Sequence, residues 1–403
     1  MVHRKRDELA WRILRGILGG WIRRKFNFDA EPVEADGPYL VLANHATDWD
    51  ALLVAMSFKP QMYYVTSEHI FRWGLAWKII NWLTHPIARL KGATAADTVM
   101  TVMRRMKKGS NVAIFADGNR TWDGKTGHIL PSTGKLAKSC GGGLITYRLE
   151  GGYFTNPRWA GGSLRRGRMR GYAVGIYTRD QLRAMTANQV NAIIIRDLYE
   201  DAYSRQRETP VAYTGKNLAE GIETMLCVCP ACGRLGTISS RGDCFGCTCG
   251  LSARYTEYGF LEGEGLPFDN IGDWDVWQTE ALRALADSAG DDAIISDTGI
   301  SMGRHHGHHG LTPLGTGRLT LFRDRLVFES LSIPLTAITG MDMHGPMGLS
   351  FSTGAEHYEL SAAERRCIRK YMTLCDYLRT APAAGKQMAA EENAAPAKAA
   401  ASQ

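Results

Sequence analysis

Nowhere do the 403 residues hold a run of about 18 charge-free apolar residues, so the sequence predicts no helix that crosses a bilayer. Arg4, Lys5 and Arg6 stand near the start, but no apolar core with a small-residue cleavage site follows them. A secretory leader is therefore not expected. Outside one short segment cysteine is sparse, since only Cys140, Cys367 and Cys375 stand apart, which argues against a disulfide scaffold. Lys and Arg do not gather around the clustered cysteines, so no nucleic-acid partner is expected. No internal repeat is visible. After Ala381 aromatic residues vanish and Ala, Lys, Glu and Pro take over, which predicts a disordered tail over 382–403.

What is present begins with charge. A net +7 suits an anionic partner such as a membrane surface or a phosphate-bearing substrate. With 44% hydrophobic residues, the chain can fill two or three ordinary cores. Residues 8–26 have a two-faced helical pattern: Trp11, Leu14, Ile17, Leu18, Trp21 and Ile22 on one side, Arg12, Arg15, Gly16, Gly19 and Arg23 towards the other. Such a basic, Trp-bearing helix suits a bilayer interface, and packing on the protein's own core is the alternative. The expectation for residues 1–30 is a membrane-interface helix.

Beyond it, apolar runs at Tyr39 to Ala43, Tyr63 to Thr66 and Val112 to Phe115 read as strands. They alternate with helical stretches at Ala51 to Phe58, Phe71 to Leu83 and Ala95 to Lys107. Alternation of this kind predicts an α/β layered domain over 31–220, with functional residues in loops beyond strand ends.

One such loop is Asn44-His45-Ala46-Thr47-Asp48-Trp49-Asp50. A strand end delivers His45, and Asp50 opens the next helix. A nearby carboxylate can hold one imidazole nitrogen and leave the other as a base; Asp48 is an alternative partner. A second loop, Phe115-Ala116-Asp117-Gly118-Asn119-Arg120-Thr121, joins an acid, a turn glycine and an arginine suited to phosphate. His85-Pro86-Ile87-Ala88-Arg89 places another arginine at a segment end.

Together the three segments resemble the glycerolipid acyltransferase family, which includes the 1-acylglycerol-3-phosphate acyltransferases. His45 and Asp50 match that family's Asn-His-x-x-x-x-Asp motif. The family's Phe-Pro-Glu-Gly-Thr-Arg-Ser motif is matched at Phe115, Gly118 and Arg120, with Asp117 for Glu and Asn119 for Thr. Its Gly-x-x-Phe-Ile-x-Arg motif finds only Ile87 and Arg89. The resemblance covers about residues 35–160. It implies that His45 takes a proton from a lysophospholipid hydroxyl, which attacks the thioester of acyl-CoA or acyl-carrier-protein. Asp50 would orient His45, while Arg89, Asp117, Gly118 and Arg120 would bind the acceptor head. The implied setting is peripheral, on the cytoplasmic face of a membrane.

Cys229-Pro230-Ala231-Cys232 and Cys244-Phe245-Gly246-Cys247-Thr248-Cys249 form two cysteine groups of the kind that closes a structural zinc site. Four of Cys229, Cys232, Cys244, Cys247 and Cys249 are expected to bind zinc in a small ribbon over 221–262, with Cys227 a spectator. A linker over 263–310 should hold a helix at Trp277 to Ala289 and a flexible loop, Gly303-Arg304-His305-His306-Gly307-His308-His309, with solvation favoured over metal binding. Short strand patterns over 317–360 lead to a final helix, which a Ser361–Glu364 capping box is expected to open. Residues 311–381 weakly resemble a pleckstrin-homology-like module, a small mostly-β domain closed by a helix. The alternative function is a degenerate adaptor that binds lipid or protein through ribbon and module.

Overall fold

The computed structural model describes residues 2–67, 85–89, 95–161, 163–306, 309–354 and 356–380. Contacts divide the chain into two compact units, Met1–Ile222 with Ser239–Asp273, and Glu223–Ile238 with the residues from Trp274 onward. The expected helix at Phe71 to Leu83 and the expected tail lie outside the described residues.

The first unit is built on a seven-stranded sheet in the order β1-β7-β6-β2-β5-β3-β4. Its strands are β1 (Phe28–Ala30), β2 (Tyr39–Ala43), β3 (Met62–Ser67), β4 (Ile87–Arg89), β5 (Asn111–Phe115), β6 (Gly143–Glu150) and β7 (Met169–Tyr177). β2 runs parallel to both of its neighbours, β5 and β6, and only the β6–β7 pair is antiparallel. Parallel strands in mid-sheet are covered on both faces, which is why β2 reads as a nearly unbroken apolar run.

Alternate residues of β2 feed two cores. Val41 and Ala43 join Ile22 and Phe26 of α1 (Val2–Phe26) and Leu53 to Met56 of α2 (Asp50–Ser57). Leu40 and Leu42 join Val102 and Met106 of α3 (Ala95–Lys107), Ala137 of α4 (Pro131–Ser139), and Val190 and Ile194 of α5 (Ala187–Leu198). The result is a helix–sheet–helix sandwich, the layered α/β arrangement that the alternation of runs implies.

Helix α1 divides its apolar residues. Ile22 and Phe26 are buried, and Trp11 and Leu18 pack against the same core. Leu9, Ile13, Ile17 and Trp21 are exposed, at 57, 53, 71 and 47%. Gly19 costs helix propensity, but a Cβ there would already touch the Met56 sulfur, at 3.5 Å. Near the start of α1, buried Asp7 accepts from the Tyr63 hydroxyl at 2.9 Å and meets His85 Nδ1 at 3.1 Å.

A four-stranded sheet follows, ordered β11-β10-β9-β8, from β8 (Ile238–Arg241), β9 (Cys244–Cys247), β10 (Ser252–Tyr255) and β11 (Leu261–Glu262). The next helix, α6 (Ile271–Ser288), starts six residues before its sequence-predicted beginning. Apolar Ile271 and Trp274 are both fully buried.

The C-terminal region is β-rich. Its strands are β12 (Ile295–His306), β13 (His309–Leu321), β14 (Arg325–Phe328), β15 (Leu331–Pro334), β16 (Ile338–His344), β17 (Gly348–Thr353) and β18 (Glu356–Ala362). They form one sheet in the order β15-β14-β13-β12-β18-β17-β16, and α7 (Arg369–Thr380) packs on it through Tyr371, Leu374 and Cys375. The Tyr371 hydroxyl donates to Asp297 at 2.8 Å, and buried Lys370 pairs with the same carboxylate at 2.7 Å.

Two expectations are overturned here. The stretch from Gly303 is no solvated loop: Gly303 to His305 pair with Pro313 to Leu311 on one side and Glu359 to His357 on the other. Ser361 caps no helix. It sits in β18 opposite Ser301 and Gly348, and the helix begins eight residues later. Ladder hydrogen bonds on both flanks hold that backbone extended, and a Ser and a Glu three residues apart cannot by themselves outweigh them.

Candidate active site

His45 leaves the carboxyl end of β2, and the Asp117 loop leaves the carboxyl end of β5, the adjacent strand. Loops at the carboxyl ends of neighbouring parallel strands are where open α/β sheets build sites. Two backbone bonds stitch the two together, Ala116 N–H to Ala43 O at 3.0 Å and Thr121 N–H to His45 O at 3.0 Å, and Gly118 N–H to Phe115 O at 3.1 Å closes a turn within the second loop. Gly118 takes φ +72°, a turn that favours glycine.

The Asn44 side chain fixes the first loop from behind. Its amide donates to Leu149 O at 2.9 Å and its carbonyl accepts from Leu149 N–H at 2.8 Å. His45 then stacks on Phe115, ring centroids 4.3 Å apart and 18° from parallel. Its Nδ1 lies 2.8 Å from Oδ2 of Asp50, a residue with no exposed surface, while the imidazole is 22% exposed. That carboxylate also accepts the Ala46 and Thr47 N–H groups at 2.6 and 2.9 Å and the Thr47 hydroxyl at 2.5 Å. An acceptor so surrounded by donors takes its imidazole contact as a further N–H. The proton therefore sits on Nδ1 and the Nε2 lone pair is left for other work. Among the described residues nothing bonds Nε2.

Asp117 accepts the His45 backbone N–H at 3.2 Å through Oδ2, and its Oδ1 is shut off from solvent without a hydrogen-bond partner among the described residues. Burial pushes this carboxyl up to about 6, against the opposing pull of His45. Asp48 does not reach His45. It pairs instead with Arg120 Nη1 at 2.7 Å. The remaining nitrogens of Arg120 hold Ala46 O at 3.2 Å, Asn156 O at 2.5 Å and Asn156 Oδ1 at 3.0 Å. Arg120 is only 11% exposed, whereas Asp48 is 59% exposed. Arg89 ends β4 in register with Ser67; its side chain lies outside the described part.

Sequence reasoning missed several residues here. Asn156, which holds Arg120, carries no motif. Lys125 and Glu200 line the narrow cleft beside His45 and Asp117, and only the fold brings them there.

The cysteine sulfurs of Cys229, Cys232, Cys247 and Cys249 lie within 4.8 Å of one another. Cys244 is exposed and outside this group. Four thiolates at such spacing fit the closed tetrahedral donor set of a structural zinc site. Gly233 N–H to Cys229 O at 2.8 Å and Gly250 N–H to Cys247 O at 3.0 Å close the turns that carry the sulfurs.

Residues 25–149, which hold β2, β5, His45 and Asp50, match the family model described as Acyltransferase. Among solved structures the chain is similar to the 1-acyl-sn-glycerophosphate (LPA) acyltransferase from Thermotoga maritima, with 14% identity and a TM-score of 0.36. That similarity covers 49% of this chain and 95% of the other. Among curated proteins no match was found.

Proposed function

We propose that this protein moves a fatty acyl group from a thioester, acyl-CoA or acyl-carrier-protein, onto the hydroxyl of a lysophospholipid such as 1-acylglycerol-3-phosphate. The observation that carries the reading is the His45 Nδ1–Asp50 contact of 2.8 Å, inside the segment that matches the acyltransferase model. His45 Nε2 takes the proton of the acceptor hydroxyl as the oxygen bonds to the thioester carbon. When the C–S bond breaks, the imidazolium returns a proton to the leaving sulfur. Asp50 keeps the tautomer and stabilises the imidazolium. Asp117, Gly118, Arg120 and Arg89 would bind the acceptor head, the two arginines as cations for its phosphate. Because Asp48 is exposed and the other Arg120 contacts are not, an incoming phosphate would replace Asp48 on Nη1.

The four thiolates would hold one structural zinc, which supplies folding energy and no chemistry. The exposed stripe of α1 and its arginines support a peripheral membrane setting on the cytoplasmic face, and no described helix is long and apolar enough to cross a membrane. The pleckstrin-homology-like reading of the β-rich region belongs to the same proposal, as a docking module.

A general base typically contributes ~10²- to 10⁴-fold, so His45→Ala should lose about that much transfer from acyl-CoA to a lysophospholipid while its melting curve is unchanged. Asp50→Asn should lose somewhat less. Parental rates from a folded His45→Ala protein would end the mechanism. A parent that transfers nothing with any donor and acceptor tried would favour the adaptor reading.

A further inference from the structure

Acyl transfer leaves unused the row of α1 that runs beside its exposed apolar stripe. Arg12, Gly16 and Gly20 recur every four residues, and each directly precedes an exposed apolar residue, Ile13, Ile17 or Trp21. Residues four apart are neighbours on a helix, so the basic row and the apolar row lie side by side.

Between α1 and the end of α2 this row opens on a cavity of about 460 Å³. Its small or apolar walls come from Gly16, Gly19, Gly20 and Met56, and its charge from Arg12, Arg15, Arg23 and Lys59; no carboxylate lines it. Packing does not demand glycine at two of these positions, since a Cβ on Gly16 or Gly20 would meet nothing within 4 Å. Each weakens the helix, and what the two supply instead is open space beside the arginines. Arg15 donates to Met56 O at 3.0 Å, and Lys59 pairs with the exposed Glu34 at 3.0 Å. Arg12 and Arg23 are exposed and have no hydrogen bond or ion pair among the described residues. Like charges around one cavity repel one another, and an anion there would relieve the repulsion.

We propose that this cavity is a head-group site, which takes the phosphomonoester of a membrane lipid while the exposed stripe lies among the acyl chains. A phosphomonoester carries about −1.5 to −2 charge near pH 7 and three free oxygens. It therefore meets more of these donors than a phosphodiester, with its single charge and two free oxygens, and arginine forks suit it. An interfacial helix with its apolar row in the bilayer would hold the adjoining basic row at the level of the phosphates. The cavity is separate from the acceptor loop at Arg120: Met56 stands six residues along α2 from Asp50, about 9 Å of helix. A lipid held there would anchor α1 rather than react. The inference rests on the peripheral membrane setting and not on the transfer chemistry.

Co-sedimentation of the full chain with two sets of phosphatidylcholine vesicles tests this, one containing phosphatidic acid and the other phosphatidylglycerol at matched surface potential. The parent should bind the phosphatidic acid vesicles at least ~5-fold tighter, the equivalent of one further charge contact. Gly16→Gln together with Gly20→Gln leaves every charge in place and fills the cavity, so it should bring that binding down to the phosphatidylglycerol level. Gln also favours the helix over Gly, and circular dichroism melts check the fold. Arg12→Gln with Arg23→Gln should lose the same preference, and it decides the matter if the glycine pair does not fold. Equal sedimentation of the parent with both lipids overturns the site and leaves the membrane setting standing, whereas no sedimentation with either removes both. A preference that survives the glycine replacements belongs elsewhere, such as the Arg120 loop, and also overturns the site. Inorganic phosphate titrated calorimetrically should bind only weakly; phosphate taken up without any lipid preference would make the occupant a soluble anion and sink the lipid reading.

Discussion

Asp117 meets two opposing demands: its carboxylate accepts the His45 N–H, yet one oxygen is sealed from water. Its proton is held more tightly in the folded chain, about 6 against an ordinary 3.8. The raised value means that stability from this group is complete below about pH 4 and is lost as pH rises through 6, a swing of about 3 kcal/mol at most. Asp117→Asn keeps the acceptor and removes the charge. Urea unfolding should therefore find it more stable than the parent at pH 7 and equal to it near pH 4; an equal difference at both would show that burial of charge is not the cause. A second prediction concerns Asp48, whose exposed carboxylate occupies the one Arg120 nitrogen that a phosphate can win. In steady-state kinetics Asp48→Asn should lower KM for the acceptor and leave kcat near the parental value. Arg120→Ala is a blunter probe, because the same guanidinium holds Ala46 O beside His45, so kcat should fall along with acceptor affinity. The His45–Asp50 pair was legible as a motif, whereas the destinations of Asp48 and Arg120 were not. Which carboxylate an arginine meets depends on Asn156, which lies 36 residues away.

At the scale of elements, α1 divides its apolar residues between core and surface. Its repeat is apolar over more than one face, so Ile22 and Phe26 seal the core while Leu9, Ile13, Ile17 and Trp21 project outward. Arg12, Arg15 and Arg23 lie with Lys59 around a cavity of about 460 Å³ beside Gly16, Gly19 and Gly20. Removing α1 whole would strip the core, so the cleaner variant is Leu9→Ser with Ile13→Ser and Ile17→Ser. Co-sedimentation with vesicles containing anionic lipid should drop several-fold, since each buried aliphatic side chain contributes about 1.5 to 3 kcal/mol. The melting temperature should hold, and undiminished sedimentation would remove this helix from the membrane proposal. The strands β2 and β5 were readable because strands covered on both faces are apolar throughout. The strand through Gly303 to His305 was not, because histidine, arginine and glycine carry no apolar alternation and their partners are far along the chain.

For the molecule as a whole the sharpest test is metal content. Elemental analysis should find about one tightly held zinc per chain, lost in Cys232→Ser and kept in Cys244→Ser, whose thiol lies outside the group. Chelation should lower the melting temperature, since a closed thiolate site contributes to folding; a fully demetallated chain that melts unchanged would dismiss the zinc. Sequence alone determined the layered α/β order, the His45–Asp50 pairing motif and the two groups of cysteines, because these rest on short-range spacing and runs of one character. Tertiary structure decided what spacing cannot encode: that Cys247 and Cys249 gather while Cys244 turns away, that Arg120 braces the His45 loop, and that His305, His344 and Glu359 meet on one face. The last depends on strand register, and a shift of one residue would turn those side chains to the opposite side.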